Sequence, residues 1–378
     1  MQTYDYIAIL GRQPELGLIE LESILGRGEV VAFGAHAFVS SLPPIDRLGG
    51  TIKQGRIIAR LPRQRLDKLQ IDTTLLPRPE GKLTFAVSAY GLKLVPRELE
   101  AFGLSLKKVL KASGSVRLVL PKPGSDELTA AQLKFNGLPE AGFELLLVGD
   151  GQEIIVALTE AVQDIDAYTA RDYERPARSA TVGMLPPKLA QILINTVHGP
   201  TIYDPFCGTG VILQEALLMG REANGSDLED EMVEATRTNL NWLAGRTADL
   251  SPWGVMQADA TKVQLPDKPL AIVSEGYLGP NLTGEAHRDD LRGLIEPLLE
   301  LYRDSLANLA RQLPSGAEVS ICAPAWRQKD SWKVLPIVDE ITNLGYTIKD
   351  FEVVSRSPIV YGRAGQAVGR ALILLTKV

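Results

Sequence analysis

Sulphur and imidazole ligands are scarce in this chain of 378 residues: it has two cysteines, Cys207 and Cys322, and three histidines, His36, His198 and His287. Two cysteines with no close pairing are too few for a four-cysteine zinc site and argue against disulfide staples. Each histidine stands alone, as a packed or surface residue does, so no metal is expected. No apolar run approaches the ~18 residues of a membrane span, so no membrane association is expected. The amino terminus, MQTYDYIAILGRQPELG, lacks the basic region and long apolar segment of a secretory signal, and a cytoplasmic address is the expectation. Low-complexity segments and tandem repeats are also missing.

A strong charge of one sign is absent as well, since the formal net charge is −6. That argues against a uniformly basic nucleic-acid binder, but the sum hides an asymmetry. Residues 1–150 carry 19 Lys and Arg against 16 Asp and Glu, and residues 151–378 carry 21 against 30. The positive residues cluster at Lys53, Arg56, Arg60, Arg63, Arg65 and Lys68, and again at Lys107, Lys108, Lys111, Arg117 and Lys122. Such clusters suit phosphate contacts, and equally the solvated faces of ordinary elements.

What is present is a chain long enough for two or three domains with sizeable cores. In the first half, strand patterns at 6–10, 55–60, 83–88 and 116–120 alternate with helical periodicity at 15–25, 96–111 and 125–136, the last opened by Ser125 as candidate cap. Segments 144–148 and 154–158 form a hairpin about Gly149-Asp150-Gly151. Residues 161–180, dense in charge, suggest an ordered linker. From Pro187 the pattern becomes strict: helix 187–197, strand 201–203, helix 211–219, strand 222–226, helix 230–243, strand 253–257 and strand 270–273. This alternation predicts a parallel, doubly wound α/β sheet.

The first strand of that sheet runs into Asp204-Pro205-Phe206-Cys207-Gly208-Thr209-Gly210. Two glycines let backbone approach a ligand closely, and the following helix turns its amino-terminal N–H groups toward it. Asp227 closes the second strand, where a carboxylate accepts both hydroxyls of a ribose, and Asp259 follows the third, where it faces an adenine amine. Each acid is also an ordinary helix cap, but with the glycine turn the three outline an adenosine site. The third glycine of the dinucleotide fingerprint is replaced by Leu213, which favours S-adenosylmethionine over a pyrophosphate cofactor.

These residues resemble motif I of the THUMP-containing tRNA guanine-N2 methyltransferases. Arg171-Asp172-Tyr173-Glu174-Arg175-Pro176 and Gly183-Met184-Leu185-Pro186-Pro187-Lys188-Leu189-Ala190-Gln191 are similar to the linker and motif X of that family. The resemblance reaches, more weakly, to Ile9-Leu10-Gly11-Arg12-Gln13-Pro14-Glu15-Leu16. It implies a ferredoxin-like module at 1–78, a THUMP RNA-binding module at 79–160, a linker at 161–180 and a Rossmann-like class I methyltransferase domain at 181–378. That domain would hold a seven-stranded sheet with an antiparallel terminal hairpin, the hairpin drawn from segments 346–354 and 371–375. The implied cofactor residues are Met184, Leu185, Asp204, Pro205, Phe206, Cys207, Gly208, Gly210, Asp227, Leu228, Asp259 and Ala260. The implied reaction is S-adenosylmethionine-dependent methylation of a guanosine N2 amine in tRNA, notably at position 10, with the THUMP module gripping the acceptor end. A small activating protein subunit is compatible with the resemblance.

One motif departs from the family. Where the relatives carry Asp/Asn-Pro-Pro-Tyr after the fourth strand, this chain has Ser274-Glu275-Gly276-Tyr277. Tyr277 keeps the base-stacking role, Ser274 offers a neutral acceptor, and Glu275 supplies a carboxylate one position late as acceptor or base. With both prolines gone and Gly276 present, the turn is expected to be loose. A long helix at 285–313 and a strand at 317–323 follow, and Arg363 stands in a later turn as a candidate RNA contact. Methylation of an adenine or cytosine amine in RNA or DNA, and a catalytically impaired tRNA-binding homologue, are the alternative readings.

Overall fold

A computed structural model describes residues 4–78, 81–95, 97–178, 184–266, 270–280, 288–355, 359–363 and 365–378. The chain divides into two compact units, Met1–Ala167 and Tyr168–Val378.

The first unit runs β1 (Tyr6–Leu10), α1 (Pro14–Leu25), β2 (Val30–Phe33), β3 (His36–Val39), β4 (Thr51–Pro62), β5 (Leu83–Tyr90), α2 (Glu98–Leu110), β6 (Val116–Val119), α3 (Ala130–Phe135), β7 (Gly142–Gly149) and β8 (Glu153–Val162). Its strands form one sheet, β2-β3-β1-β4-β8-β7-β5-β6, so segments 1–78 and 79–160 meet where β4 runs antiparallel to β8. The short β2–β3 hairpin was not expected from its pattern. The helix expected from Ser125 starts later. Ser125 turns back to the Glu127 backbone, and Thr129 makes a capping box with Gln132 at the start of α3.

Lys53 does not belong to a phosphate-facing cluster. It is 2% exposed, and its Nζ donates to Glu144 Oε1 at 2.6 Å and to the Leu128 carbonyl at 2.8 Å. Glu144 also accepts from Ser88 Oγ and Thr159 Oγ1, which closes a buried network across β4, β5, β7 and β8. The other clustered residues are partly or fully exposed.

The second unit continues with α4 (Ile165–Tyr173), which crosses the division, α5 (Pro187–Asn195), β9 (Thr201–Asp204), α6 (Val211–Leu218), β10 (Glu222–Asp227), α7 (Asp230–Ala244), β11 (Trp253–Gln257), β12 (Ala271–Ser274), α8 (Arg288–Ala310), β13 (Glu318–Arg327), β14 (Trp332–Val334), β15 (Tyr346–Ile348), β16 (Val360–Tyr361) and β17 (Val368–Lys377). The main path of its sheet is β11-β10-β9-β12-β13-β17-β15, seven strands, with β14 and β16 added beside β13 and β17. Strands β9 to β13 are parallel, and β17 lies antiparallel between β13 and β15. The sheet is thus Rossmann-like with an antiparallel carboxyl-terminal part. The strand expected through residue 354 ends at Ile348, while the start of the helix expected from Glu285 lies outside the described residues. Among the described residues no helix is long and apolar enough to cross a membrane, and no group of three His, Cys, Asp or Glu side chains could hold a metal.

This order sets the site. The connections reverse direction between β9 and β12, and open α/β sheets offer a ligand crevice at the carboxyl ends of such strands. Asp204 ends β9 and Ser274 ends β12.

Candidate active site

The neighbouring ends of β9 and β12 bring two polar side chains together inside the protein. Ser274 Oγ donates to Asp204 Oδ1 at 2.6 Å and accepts from the Gly276 N–H at 3.0 Å. The Phe206 N–H also donates to Asp204. No cation pairs with this carboxylate among the described contacts, and burial raises its pKa to about 7, with its two hydrogen bonds opposing the rise.

The glycine turn follows at once. Gly208 and Gly210 have φ of +52° and +81°, the left-handed region that glycine enters without strain. A Cβ on Gly210 would strike the Thr236 side chain, whereas one on Gly208 would meet nothing within 4 Å. Thr236 Oγ1 donates to the Gly208 carbonyl at 2.6 Å, and the Gly208 N–H donates to Asp227 Oδ2 at 2.8 Å. Asp227 Oδ1 takes the Glu229 N–H at 3.1 Å. The turn is therefore fastened to the end of β10.

A cavity opens over this turn. Its wall includes Met184, Leu185, Asp204, Phe206, Cys207, Gly208 and Glu275. Thr209, Val211, Ile212 and Met232 complete it, none of them among the expected cofactor residues. Pro205 and Gly210 are buried in the turn beneath, and burial pushes the Cys207 thiol up, so it remains a protonated packing residue. Leu228, 62% exposed, and Ala260, buried, lie outside the cavity wall. Asp259 does too. Its Oδ1 takes the N–H and hydroxyl of Thr261, which lower its pKa, and its Oδ2 lies 3.2 Å from Lys262.

The turn after β12 is not loose, contrary to the sequence expectation. Gly276 has φ +67°, and a Cβ there would collide with the Tyr302 hydroxyl and the Cys322 carbonyl. That hydroxyl, from the buried middle of α8, donates to the Cys322 carbonyl at 2.7 Å and shares its hydrogen with the Tyr277 carbonyl at 3.2 Å. Glycine here lets the strand end approach its brace, and the brace supplies the rigidity that proline supplies elsewhere. Tyr277 follows with its ring half exposed, at 49%. Glu275 is held by a residue that sequence reasoning missed: Arg370 Nε, buried in β17, donates to Glu275 Oε1. Burial raises the Glu275 pKa while Arg370 opposes the rise. Glu275 Oε2 has no partner among the described residues. An arginine inside the apolar run Val368–Leu375 was the available signal. Arg363 instead donates to the Tyr361 hydroxyl in an exposed turn.

Comparison with known proteins agrees with this geometry. Residues 175–276 match the UPF0020 family, RMKL-like, methyltransferase domain. A tRNA (guanine(10)-N2)-dimethyltransferase of Methanothermobacter thermautotrophicus is 32% identical over 165 residues, 43% of this chain and 44% of that protein. One from Pyrococcus abyssi is 35% identical over 128 residues, 32% of this chain and 37% of that protein. The matches thus span less than half the length of either relative. The crystal structure of TrmN from Thermus thermophilus aligns with 99% of both chains at a TM-score of 0.55 and 18% identity, which shows a shared fold. With its glycine turn, its strand order and its sequence match in accord, the segment 175–276 is similar to the RMKL-like methyltransferase domain family.

Proposed function

We propose that this protein methylates the exocyclic N2 amine of a guanosine in tRNA, position 10 by the names of its relatives, with S-adenosylmethionine as methyl donor. The observation that carries the reading is the braced turn: Glu275 shares a cavity wall with Asp204 and Gly208, the buried Ser274 before it is hydrogen-bonded to Asp204, and a half-exposed Tyr277 follows two positions later. In this reading residues 1–78 are the ferredoxin-like module, 79–160 the THUMP module on the tRNA acceptor end, and 161–180 the linker to the methyltransferase domain.

The groups on the cavity wall suit the cofactor, although the cavity itself, at about 40 Å³, is smaller than that ligand. Gly208 leaves open space where any other residue would project a side chain, Met184 and Leu185 give one apolar border, and Asp204 supplies an acceptor for an ammonium. Each oxygen of Asp227 takes one backbone N–H and keeps a lone pair for a ribose hydroxyl. Asp259 and Ala260 would flank the adenine. When bound, S-adenosylmethionine supplies a methyl group on a sulfonium, which leaves without its bonding electrons.

The chain's own residues then supply position. A guanine amine is a weak nucleophile because its lone pair is delocalised into the ring, so alignment accounts for most of the rate. Tyr277 stacks on the base after it leaves its helix. Ser274 is engaged at both ends, to Asp204 and to Gly276, and so fixes the turn. Glu275, anchored through Oε1, presents Oε2 to accept an amine hydrogen and then the proton released.

The test is to incubate the protein with labelled cofactor and unmodified bulk tRNA and digest the product to nucleosides. N2-methylated guanosine is expected. Tyr277→Ala should lose methyl transfer by about 10- to 100-fold, the scale of one stacked base, while S-adenosylhomocysteine affinity is unchanged. Cofactor binding without any methylated guanosine in the wild type would overturn the reading.

A further inference from the structure

The described wall of the cofactor cavity carries two carboxylates, Asp204 and Glu275, and no lysine or arginine. A zwitterionic amino-acid arm has an ammonium that suits such a wall and a carboxylate that does not. The missing positive charge lies just behind Met184, in the charge-dense segment 161–180 expected to be an ordered linker.

Arg175 is 2% exposed, two residues beyond the end of α4. Its Nε and Nη1 are buried with no hydrogen-bond partner, and its Nη2 touches only the Met184 sulfur, at 3.5 Å. The nearest comparable residue is different. Arg171 lies over the Tyr168 ring and donates to Glu215 at 2.9 Å. Glu215 also accepts from Gln191 and Gln214, so this buried acid is already provided for. Asp172 and Glu215 lie near enough to favour the charge on Arg175, and Arg178 disfavours it, but none of them accepts its N–H groups.

A guanidinium stays protonated under these conditions, and buried donors left unmade are costly enough that proteins rarely keep them without use. A planar carboxylate is the acceptor whose geometry matches its fork. We propose that Arg175 binds the carboxylate of the methionine arm of the cofactor, with Met184 as the movable side chain between the guanidinium and the cavity. This rests on the reading that the cavity holds S-adenosylmethionine. The Nε and Nη1 donors, which have no hydrogen-bond partner among the described residues, would then be used only in the loaded state.

The experiment is calorimetric titration of the full chain with two ligands: S-adenosylhomocysteine, and 5′-methylthioadenosine, which keeps the adenosine and sulfur but lacks the amino-acid arm. Arg175→Gln should weaken S-adenosylhomocysteine by about 10- to 100-fold, the range for hydrogen bonds to a charged group, and leave 5′-methylthioadenosine within about twofold. Arg175→Lys, which keeps the charge but not the fork, should give a smaller loss on the same ligand and a pattern to judge if the Gln variant does not fold. An equal loss for both ligands means that Arg175 only supports the cavity's shape, and an unchanged S-adenosylhomocysteine affinity means that the carboxylate sits elsewhere. Each of these two overturns the proposal. Wild-type protein that binds neither ligand would overturn the cofactor reading itself, a result distinct from wild-type binding that the variants retain.

Discussion

Both units of the chain bury acidic side chains in their sheets, and the two sets are finished differently. In the first unit Glu144 is saturated: Lys53, Ser88 and Thr159 all donate to it, and Lys53 is itself satisfied by a backbone carbonyl. In the second, Asp204 has two hydrogen bonds and no counter-ion, Glu275 has one oxygen engaged, and Arg175 has two idle nitrogens. A closed network fixes strand register and gives nothing to a ligand. An open one is held under electrostatic tension that a bound ligand of matching charge relieves, which is why perturbed groups gather at functional sites.

The contrast can be broken first at its closed end. Lys53→Met should destabilise the first unit by ~3–5 kcal/mol, because Glu144 is left as an uncompensated buried charge. Chemical denaturation followed by a probe in that unit measures it, and a Lys53→Met, Glu144→Leu double variant should recover much of the loss. At the open end the effects fall on ligand affinity. Asp227→Ala should weaken S-adenosylhomocysteine by about 10- to 100-fold, since it would remove the proposed ribose acceptor and removes the fastening of Gly208. Asp259→Ala should cost only about a few-fold in the same titration. Its oxygens are already occupied by Thr261 and Lys262, and it is exposed enough for water to replace a lost contact.

The legible parts of the molecule are those whose cause is local. The alternation from Pro187 to Ser274 could be read because each element carries its own period and its own stop, and Asp204, Gly208 and Asp227 could be placed because they end or follow strands. The β2–β3 hairpin was missed because each strand has only four residues and β2 exposes its middle pair. The stiffness of the turn at Gly276 was misjudged because its cause is Tyr302, a residue of a separate helix that no local rule connects to it. The pairing of Arg370 with Glu275 was missed for the same reason, since the two stand 95 positions apart, although an arginine inside an apolar run marked it as unusual. The burial of Arg175 was not legible, because a charge-dense stretch does not say what packs over it.

Asp204 gives the most direct test. Burial lifts its carboxyl pKa above the unfolded value of about 3.9, so the folded protein holds a proton there that the unfolded chain releases. This group therefore makes the ligand-free fold less stable as pH rises from about 4 to 7, and the loss levels off above the folded pKa. A ligand ammonium beside it favours the ionised form, so binding should expel the proton. Titration of S-adenosylhomocysteine at about pH 6, in two buffers of different ionisation enthalpy, counts protons released per ligand bound. The account predicts net release in the wild type, affinity that rises with pH until about 7, and neither effect in Asp204→Asn. Binding without proton release, or the same release in the Asn variant, would contradict it.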